Sequence, residues 1–415
     1  MIPYSKQNID KKDIENVNKI LNSDFLTQGP TVQKFEANIK RICKSKFASA
    51  VNSATSALHL SCLSLGLKKN EYLWTSPISF VASSNCGLYC GAKIDFVDID
   101  INSFNINITK LRDKLKIAKQ RKKLPKILVV VHMAGVSCDM ISIKNLSNKY
   151  GFKIIEDASH CVGAKYNGYP IGSCKYSDLA VLSFHPVKII TTGEGGMILT
   201  NNKTLDKKIK ILRTSGINKN LGQEKIKKEG SWYYEQQMLG YNYRMSDIAA
   251  ALGISQSKKL RKFVKKRNNI ALNYKKFLKN LPVDFQQFNK KYLSSYHLFI
   301  IRVSNKIRDK LFNKMRREGF FVNIHYIPIH LQPYYMKLGF KKGMFPVAEK
   351  YYKEAANIFG LDYEAFFNED WRKQTSLAVK FDRFAQSGGI LRGVSYQRAS
   401  IKNRDLTNRY QETFF

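Results

Sequence analysis

The feature that most constrains the fold is the run Lys126-Ile127-Leu128-Val129-Val130-Val131. Its residues are apolar at successive positions rather than at alternate ones. That pattern suits a strand covered on both faces, as in parallel sheets whose crossover helices lie on either side. Short β-rich runs at 47–51, 71–75, 93–98, 152–156, 179–184 and 196–200 alternate with helical patterns at 57–65, from about 79, and at 140–150. The alternation predicts an α/β fold with a mostly parallel sheet. From about residue 206 the pattern reads as helical, and a strand follows at 296–303, so a smaller α+β unit is expected from about 282.

Composition excludes several classes. A chain of 415 residues with 44% hydrophobic and 25% charged residues has ample material for a core, and is neither disordered nor collagen-like. No stretch nears the roughly 18 uninterrupted apolar residues of a membrane span. The opening Met1-Ile2-Pro3-Tyr4-Ser5-Lys6-Gln7 lacks the apolar region of a secretory signal. The expectation is a cytoplasmic protein with no membrane partner. The seven cysteines are odd in number and form no C-x-x-C pair, so they read as reduced, mostly buried thiols, not as a zinc site or a disulfide framework.

Lys and Arg number 70 against 32 Asp and Glu, a formal charge of +38. The lysine runs are spread over 114–123, 203–210, 225–228 and 258–267, and no nucleic-acid motif accompanies them. A solvated basic surface accounts for them, and no nucleic-acid partner is expected. The alternative, a basic nucleic-acid-binding or regulatory protein, would bind DNA with steep salt dependence. A positive field would also attract a small anionic substrate.

Four places carry candidate chemistry because they lie where strands end, the edge at which open α/β sheets bind ligands. Asn52-Ser53-Ala54-Thr55-Ser56 joins a strand to a helix. Small hydroxyl residues at a helix N-terminus suit an anion such as a phosphate, though they also serve as plain caps. Glu156-Asp157-Ala158-Ser159-His160 ends another strand and offers a carboxylate to a cation or a protonated ring nitrogen. In Ser183-Phe184-His185-Pro186-Val187-Lys188 a strand delivers Ser183 and a proline-containing loop presents Lys188. A lysine beside apolar groups can have a depressed pKa and condense with an aldehyde. Thr191-Thr192-Gly193-Glu194-Gly195-Gly196 places three glycines in four residues. That permits close backbone approach but matches neither nucleotide-phosphate loop. Each feature alone has an ordinary structural explanation. Together with Phe80 they converge on one ligand bearing a phosphate, a flat ring with a basic nitrogen and an aldehyde, and pyridoxal 5′-phosphate has all of these.

The motif Ser183 to Lys188 followed by Thr191 to Gly196 resembles the sugar-nucleotide aminotransferases of the DegT/DnrJ group, which have the aspartate-aminotransferase type of fold. Met1 to Ser5 and Ser23-Asp24-Phe25-Leu26-Thr27-Gln28-Gly29-Pro30 resemble the branch of that family that serves pseudaminic acid synthesis. The resemblance covers residues 1 to about 355. It implies a seven-stranded, mostly parallel sheet in a large cofactor-binding domain, 1–281, followed by a small α+β domain, 282–355.

The resemblance also implies site roles. Lys188 would hold pyridoxal 5′-phosphate as a Schiff base and shuttle the proton, Asp157 would pair with the ring nitrogen, and His160 would lie near the ring oxygen. Phe80 would stack on the ring, while Thr55, Ser56 and Ser183 would hold the phosphate. Asn242 would reach the cofactor phosphate of a second subunit, making a homodimer with shared active sites. His325 and Tyr326 would lie near the sugar nucleotide. No metal is expected, since Pro328 breaks the helical spacing of His325 and His330.

The implied reaction moves an amine from L-glutamate to C4 of a UDP-linked 4-keto-6-deoxy-N-acetylhexosamine, giving UDP-4-amino-4,6-dideoxy-N-acetyl-β-L-altrosamine. The alternative is another 4-keto nucleotide sugar, such as a bacillosamine or perosamine precursor. After Ala355 the resemblance stops. Residues 356–415 are richer in Arg, Gln and Asp and poorer in Lys, a change that a frameshift, a fusion or an accessory tail would produce.

Overall fold

The computed structural model describes residues 3, 5–218 and 228–359. Its centre is a seven-stranded sheet of β1 (Phe47–Val51), β2 (Tyr72–Thr75), β3 (Lys93–Phe96), β4 (Pro125–Val131), β5 (Lys153–Asp157), β6 (Leu179–Ser183) and β7 (Gly196–Thr200), in the order β1-β7-β6-β5-β4-β2-β3. The pairs β2/β3, β2/β4, β4/β5 and β5/β6 are parallel. The sheet is therefore mostly parallel, as the apolar runs predict. Only β7 runs against both its neighbours, β6 and β1. The chain between β6 and β7 is thus a hairpin connection that returns at the same edge of the sheet, not a crossover.

The helices are α1 (Lys11–Leu21), α2 (Pro30–Cys43), α3 (Ala54–Ser64), α4 (Ala82–Leu88), α5 (Ile108–Gln120), α6 (Met140–Tyr150), α7 (Lys203–Leu212) and α8 (Asp247–Phe277). Burial explains the unbroken run in β4. Leu128 and Val130 join one apolar cluster, with Phe35, Leu111 and Ile143. Ile127 and Val129 join the other, with Leu58, Leu60 and Ile198. Alternate side chains thus enter cores on opposite faces, so every position is apolar. Each such buried aliphatic side chain contributes about 1.5–3 kcal/mol.

Two helix ends show how distant segments are fixed. Ser53 caps α3 through a 3.1 Å bond from the Ser56 N–H. α2 has Gly29 at its cap and no local side-chain acceptor. Instead Asp247, at the start of α8, accepts the N–H groups of Gly29 and Thr31, both at 2.8 Å, and of Val32 at 3.3 Å. A carboxylate at a helix N-terminus is also favoured by the helix dipole.

The segment from 206 onward is helical only in part. α7 ends at Leu212, and α8 begins at Asp247. Among the described residues between them lie turns and the short pair Ile217–Asn218 and Glu235–Gln236. Close backbone contacts account for this. A Cβ at Gly240 would fall 1.9 Å from the Gly216 nitrogen, so the chain folds back on itself where a helix would run straight.

Beyond α8, a three-stranded sheet of Asp284–Phe285, Phe299–Arg302 and Ala355–Phe359 pairs antiparallel, flanked by the helix Asn305–Arg317. The helix Pro346–Glu354 leads directly into the last strand. The structure therefore carries the first residues of the atypical segment as part of this sheet. Residues 360–415 lie outside the described residues, as do Met1, Ile2 and Tyr4 of the N-terminal resemblance. Among the described residues no helix is long and apolar enough to cross a membrane.

Candidate active site

The carboxyl ends of β1, β5 and β6 open onto a cavity of about 750 Å³. Thr55, Phe80, Asp157, His160, Ser183, Lys188, His325 and Tyr326 all line it. These residues lie between positions 55 and 326 and come together because each follows a strand end or a loop at one sheet edge. Two expected site residues do not line it. Ser56 is the third residue of α3, its Oγ 3.0 Å from the Ser53 Oγ. Asn242 is exposed, bridged through its backbone to Thr214.

Part of the wall is the segment leading into and including the first turn of α3, where Asn52, Ser53, Ala54 and Thr55 line the cavity, a helix N-terminus suited to an anion. β7 passes so close behind that a Cβ at Gly196 would fall 2.4 Å from the Ser53 carbonyl oxygen. Glycine at 196 is therefore set by space. Thr191 and Thr192 close the hairpin: the Thr191 hydroxyl donates to the Phe184 carbonyl at 2.9 Å and the Thr192 hydroxyl to the Glu194 carbonyl at 2.6 Å.

Asp157 is 7% exposed at the end of β5. The Ser83 hydroxyl donates to its Oδ2 at 2.6 Å, and the Ser159 N–H donates to its Oδ1 at 3.2 Å. Ser79 lies 2.6 Å from Ser83, oxygen to oxygen. The side chain is thus fixed by two hydrogen bonds and placed to pair with a cation. The sequence reading missed Ser83; the Ser79/Ser83 spacing at the start of a helix was the available signal.

Lys188 is half-buried on the hairpin loop. Loss of solvent lowers its amine to about 8, opposed by the negative charge of Asp157. At neutral pH a larger share of this amine is uncharged than in an exposed lysine, which makes it a better nucleophile. The loop is held by the Lys188 N–H, which donates to the His185 carbonyl at 2.9 Å, and the His185 ring faces Glu194 at 3.8 Å.

His160 accepts the Ala134 N–H at Nδ1, 3.3 Å away. Nε2 must then carry the proton in the neutral ring, and it lies 3.2 Å from the Tyr326 hydroxyl. Burial foremost, and then Lys188 and His325, keep His160 well below the usual imidazole range, so it is uncharged. His325 is likewise lowered, to about 3, by burial and then by Lys188, and its Nδ1 contacts the Asn357 side-chain amide. Phe80 is 58% exposed at the mouth, with its ring 6.4 Å from that of Tyr326. His297, which the sequence reading did not single out, also lines the cavity.

The donor set fits a ligand with an anionic group at α3, a planar ring between Phe80 and the floor, a protonated nitrogen at Asp157 and an electrophilic carbon at Lys188. Among the described residues no group of three or more His, Cys, Asp or Glu is placed to hold a metal ion.

Comparison with known proteins gives the same direction. Residues 7–360 match the DegT/DnrJ/EryC1/StrS aminotransferase family. A UDP-4-amino-4,6-dideoxy-N-acetyl-β-L-altrosamine transaminase of Campylobacter jejuni is 41% identical over 345 residues, covering 81% of this chain and 87% of that protein. The Helicobacter pylori PseC structure, an aminotransferase involved in the biosynthesis of pseudoaminic acid, superposes with a TM-score of 0.81 at 30% identity over 93% of this chain and 99% of that one. The Spr1654 protein of Streptococcus pneumoniae, solved in a PLP form, shares the fold with a TM-score of 0.81 at 23% identity, over 93% of this chain and 99% of that one.

Proposed function

The chain belongs to the DegT/DnrJ/EryC1/StrS aminotransferase family, and from that premise we propose that it transfers the amine of L-glutamate to the C4 ketone of a UDP-linked 4-keto-6-deoxy-N-acetylhexosamine, with pyridoxal 5′-phosphate as cofactor. The observation that carries the reading is the single cavity that Lys188, Asp157 and the first turn of α3 line together. The sugar assignment is supported by the altrosamine transaminase at 41% identity.

When bound, the cofactor supplies an electron sink for negative charge at the carbon bearing the nitrogen. The chain's own residues do the rest. The α3 N-terminus, with Ser53, Thr55 and Ser183, holds the phosphate. Asp157, fixed by Ser83, keeps the ring nitrogen protonated. Phe80 covers one face of the ring. The Lys188 Nζ takes the proton from the α-carbon of glutamate and, in the second half-reaction, delivers a proton to C4 of the sugar. Glutamate leaves as 2-oxoglutarate and the ketone leaves as a 4-amine, so nitrogen and protons balance. His325 and Tyr326 border the substrate side.

A homodimer belongs to the same reading. Asn242, exposed and outside its own chain's cavity, is available to contact the cofactor phosphate bound by a second copy.

The test is a panel of 4-keto nucleotide sugars incubated with the purified protein and glutamate, products read by mass spectrometry and NMR. The UDP-linked 4-keto-6-deoxy-N-acetylhexosamine should be aminated at C4 with the highest kcat/KM. Preference for a bacillosamine or perosamine precursor, or for a dTDP or GDP sugar, would replace the substrate assignment.

A further inference from the structure

The segment that ends at Ser5 has no part in the steps assigned to Lys188 and Asp157, yet it lies against the loop that carries the lysine. The Ser5 hydroxyl donates to the Val187 carbonyl oxygen at 2.9 Å, across 182 positions of sequence. Among the described residues no other donor reaches that oxygen. Lys6, Gln7 and Asn8 then line a small cavity of about 20 Å³ that Lys188 also lines. Lys188 therefore borders both the main cavity and the N-terminal segment.

The segment is itself anchored. The Asn8 carbonyl accepts from Nε2 of buried Gln256 at 2.7 Å and from the Lys259 Nζ at 3.4 Å. The same Gln256 nitrogen donates to Asp13 at 2.8 Å, and Lys259 pairs with Asp10 at 3.1 Å and with Asp13 at 2.5 Å. Gln256 and Lys259 stand on α8, while Asp10 and Asp13 form the capping box of α1. Three residues of chain reach at most about 11 Å, so Ser5, three positions from Asn8, has little freedom to leave the loop.

The lysine's loop holds itself only in part. Pro186 has no N–H to give. The Val187 N–H reaches the His185 Nδ1 at 3.4 Å, a long contact, and the Lys188 N–H donates to the His185 carbonyl at 2.9 Å. The peptide unit between Val187 and Lys188 is a rigid plane that includes the Lys188 Cα. Its N–H end is bound within the loop, and its C=O end is bound by Ser5. Bonds at both ends of one plane fix its rotation, and with it the direction in which the Lys188 side chain leaves the backbone.

We propose that Ser5 is a positioning residue: its hydroxyl, held over the hairpin loop by the N-terminal segment, aims the Lys188 amine. The inference rests on the proposed role of Lys188. Reacting atoms have to meet at about 3–3.5 Å, and a displacement of about 1 Å costs about a hundredfold in rate, so a bond remote from the chemistry has leverage on it.

The test compares the wild type with Ser5→Ala and with Ser5→Thr, which keeps the hydroxyl. Hydrogen exchange at the Lys188 amide, followed in cofactor-free protein, should be about two- to tenfold faster in Ser5→Ala, the ratio set by loss of one neutral hydrogen bond. In the loaded enzyme, with the best keto sugar of the panel, kcat should fall about tenfold or more while KM stays unchanged. Ser5→Thr should return exchange and kcat to near the wild-type values. Equal exchange in Ser5→Ala and wild type would overturn the inference. So would faster exchange with kcat unchanged, since the bond would then not aim the amine, and so would a loss that Ser5→Thr fails to restore. Should Ser5→Ala not fold, Ser5→Cys, which keeps only a weak donor, is judged by the same criteria. A wild-type protein that takes up no pyridoxal 5′-phosphate would sink the reading of Lys188, whereas the exchange rates, measured without cofactor, judge the Ser5 contact by themselves.

Discussion

Ser83, on the first turn of α4, donates a 2.6 Å hydrogen bond to Oδ2 of Asp157 at the end of β5. The bond is buried and charge-assisted, so it ranks among the stronger ones in the site. It ties the helix following Phe80 to the strand that supplies the acid.

Ser83→Ala should leave the fold intact and loosen the carboxylate. Hydrogen bonds to charged groups contribute about 1.5–3 kcal/mol. The expected outcome is roughly a tenfold or greater loss in cofactor affinity, read by fluorescence titration of apo-protein. Unchanged affinity would show that Ser159 alone suffices to hold Asp157.

Lys188 carries a pH signature. Its amine is lowered by burial to about 8, so the uncharged nucleophile accumulates as pH rises through that value instead of through the usual 10.5. The rate of cofactor uptake by apo-protein should rise between about pH 7 and 9 and level off above. Stopped-flow absorbance measures it. A rate still climbing steeply at pH 10 would place the amine in water. Lys188→Ala should abolish turnover while the protein still folds.

Gly196→Ala probes the approach of β7 to the start of α3. The added methyl would fall 2.4 Å from the Ser53 carbonyl oxygen and 2.7 Å from the Ala54 nitrogen, both backbone atoms that cannot swing away. Overpacking of this kind costs about 1–3 kcal/mol. Melting temperature should drop, and inorganic phosphate should protect the variant less than the wild type. A variant as stable and as phosphate-responsive as the wild type would contradict the close approach.

Asp247→Ala removes the remote cap of α2. It strands the N–H groups of Gly29, Thr31 and Val32, and each unsatisfied buried donor costs about 1–3 kcal/mol. Urea unfolding should show a loss of at least about 3 kcal/mol. Asp247→Asn, which retains one acceptor oxygen, should fall between.

The sequence by itself determined a mostly parallel sheet, because apolar runs such as Ile127 to Val131 report burial on both faces through periodicity; its seven strands came from the family resemblance. It also marked Asp157, Ser183, Lys188 and the start of α3, since each adjoins a strand end and carries a residue type suited to its chemistry. Tertiary structure decided the rest. That β7 runs antiparallel leaves no mark in its composition. The turns between α7 and α8 depend on Gly216 and Gly240 meeting face to face. Ser83 on Asp157 and Asp247 on α2 are pairings between residues far apart in the chain. A local pattern records the environment of one segment. It holds no information on which distant donor arrives to satisfy it, and that is settled only when the two cores close around the sheet.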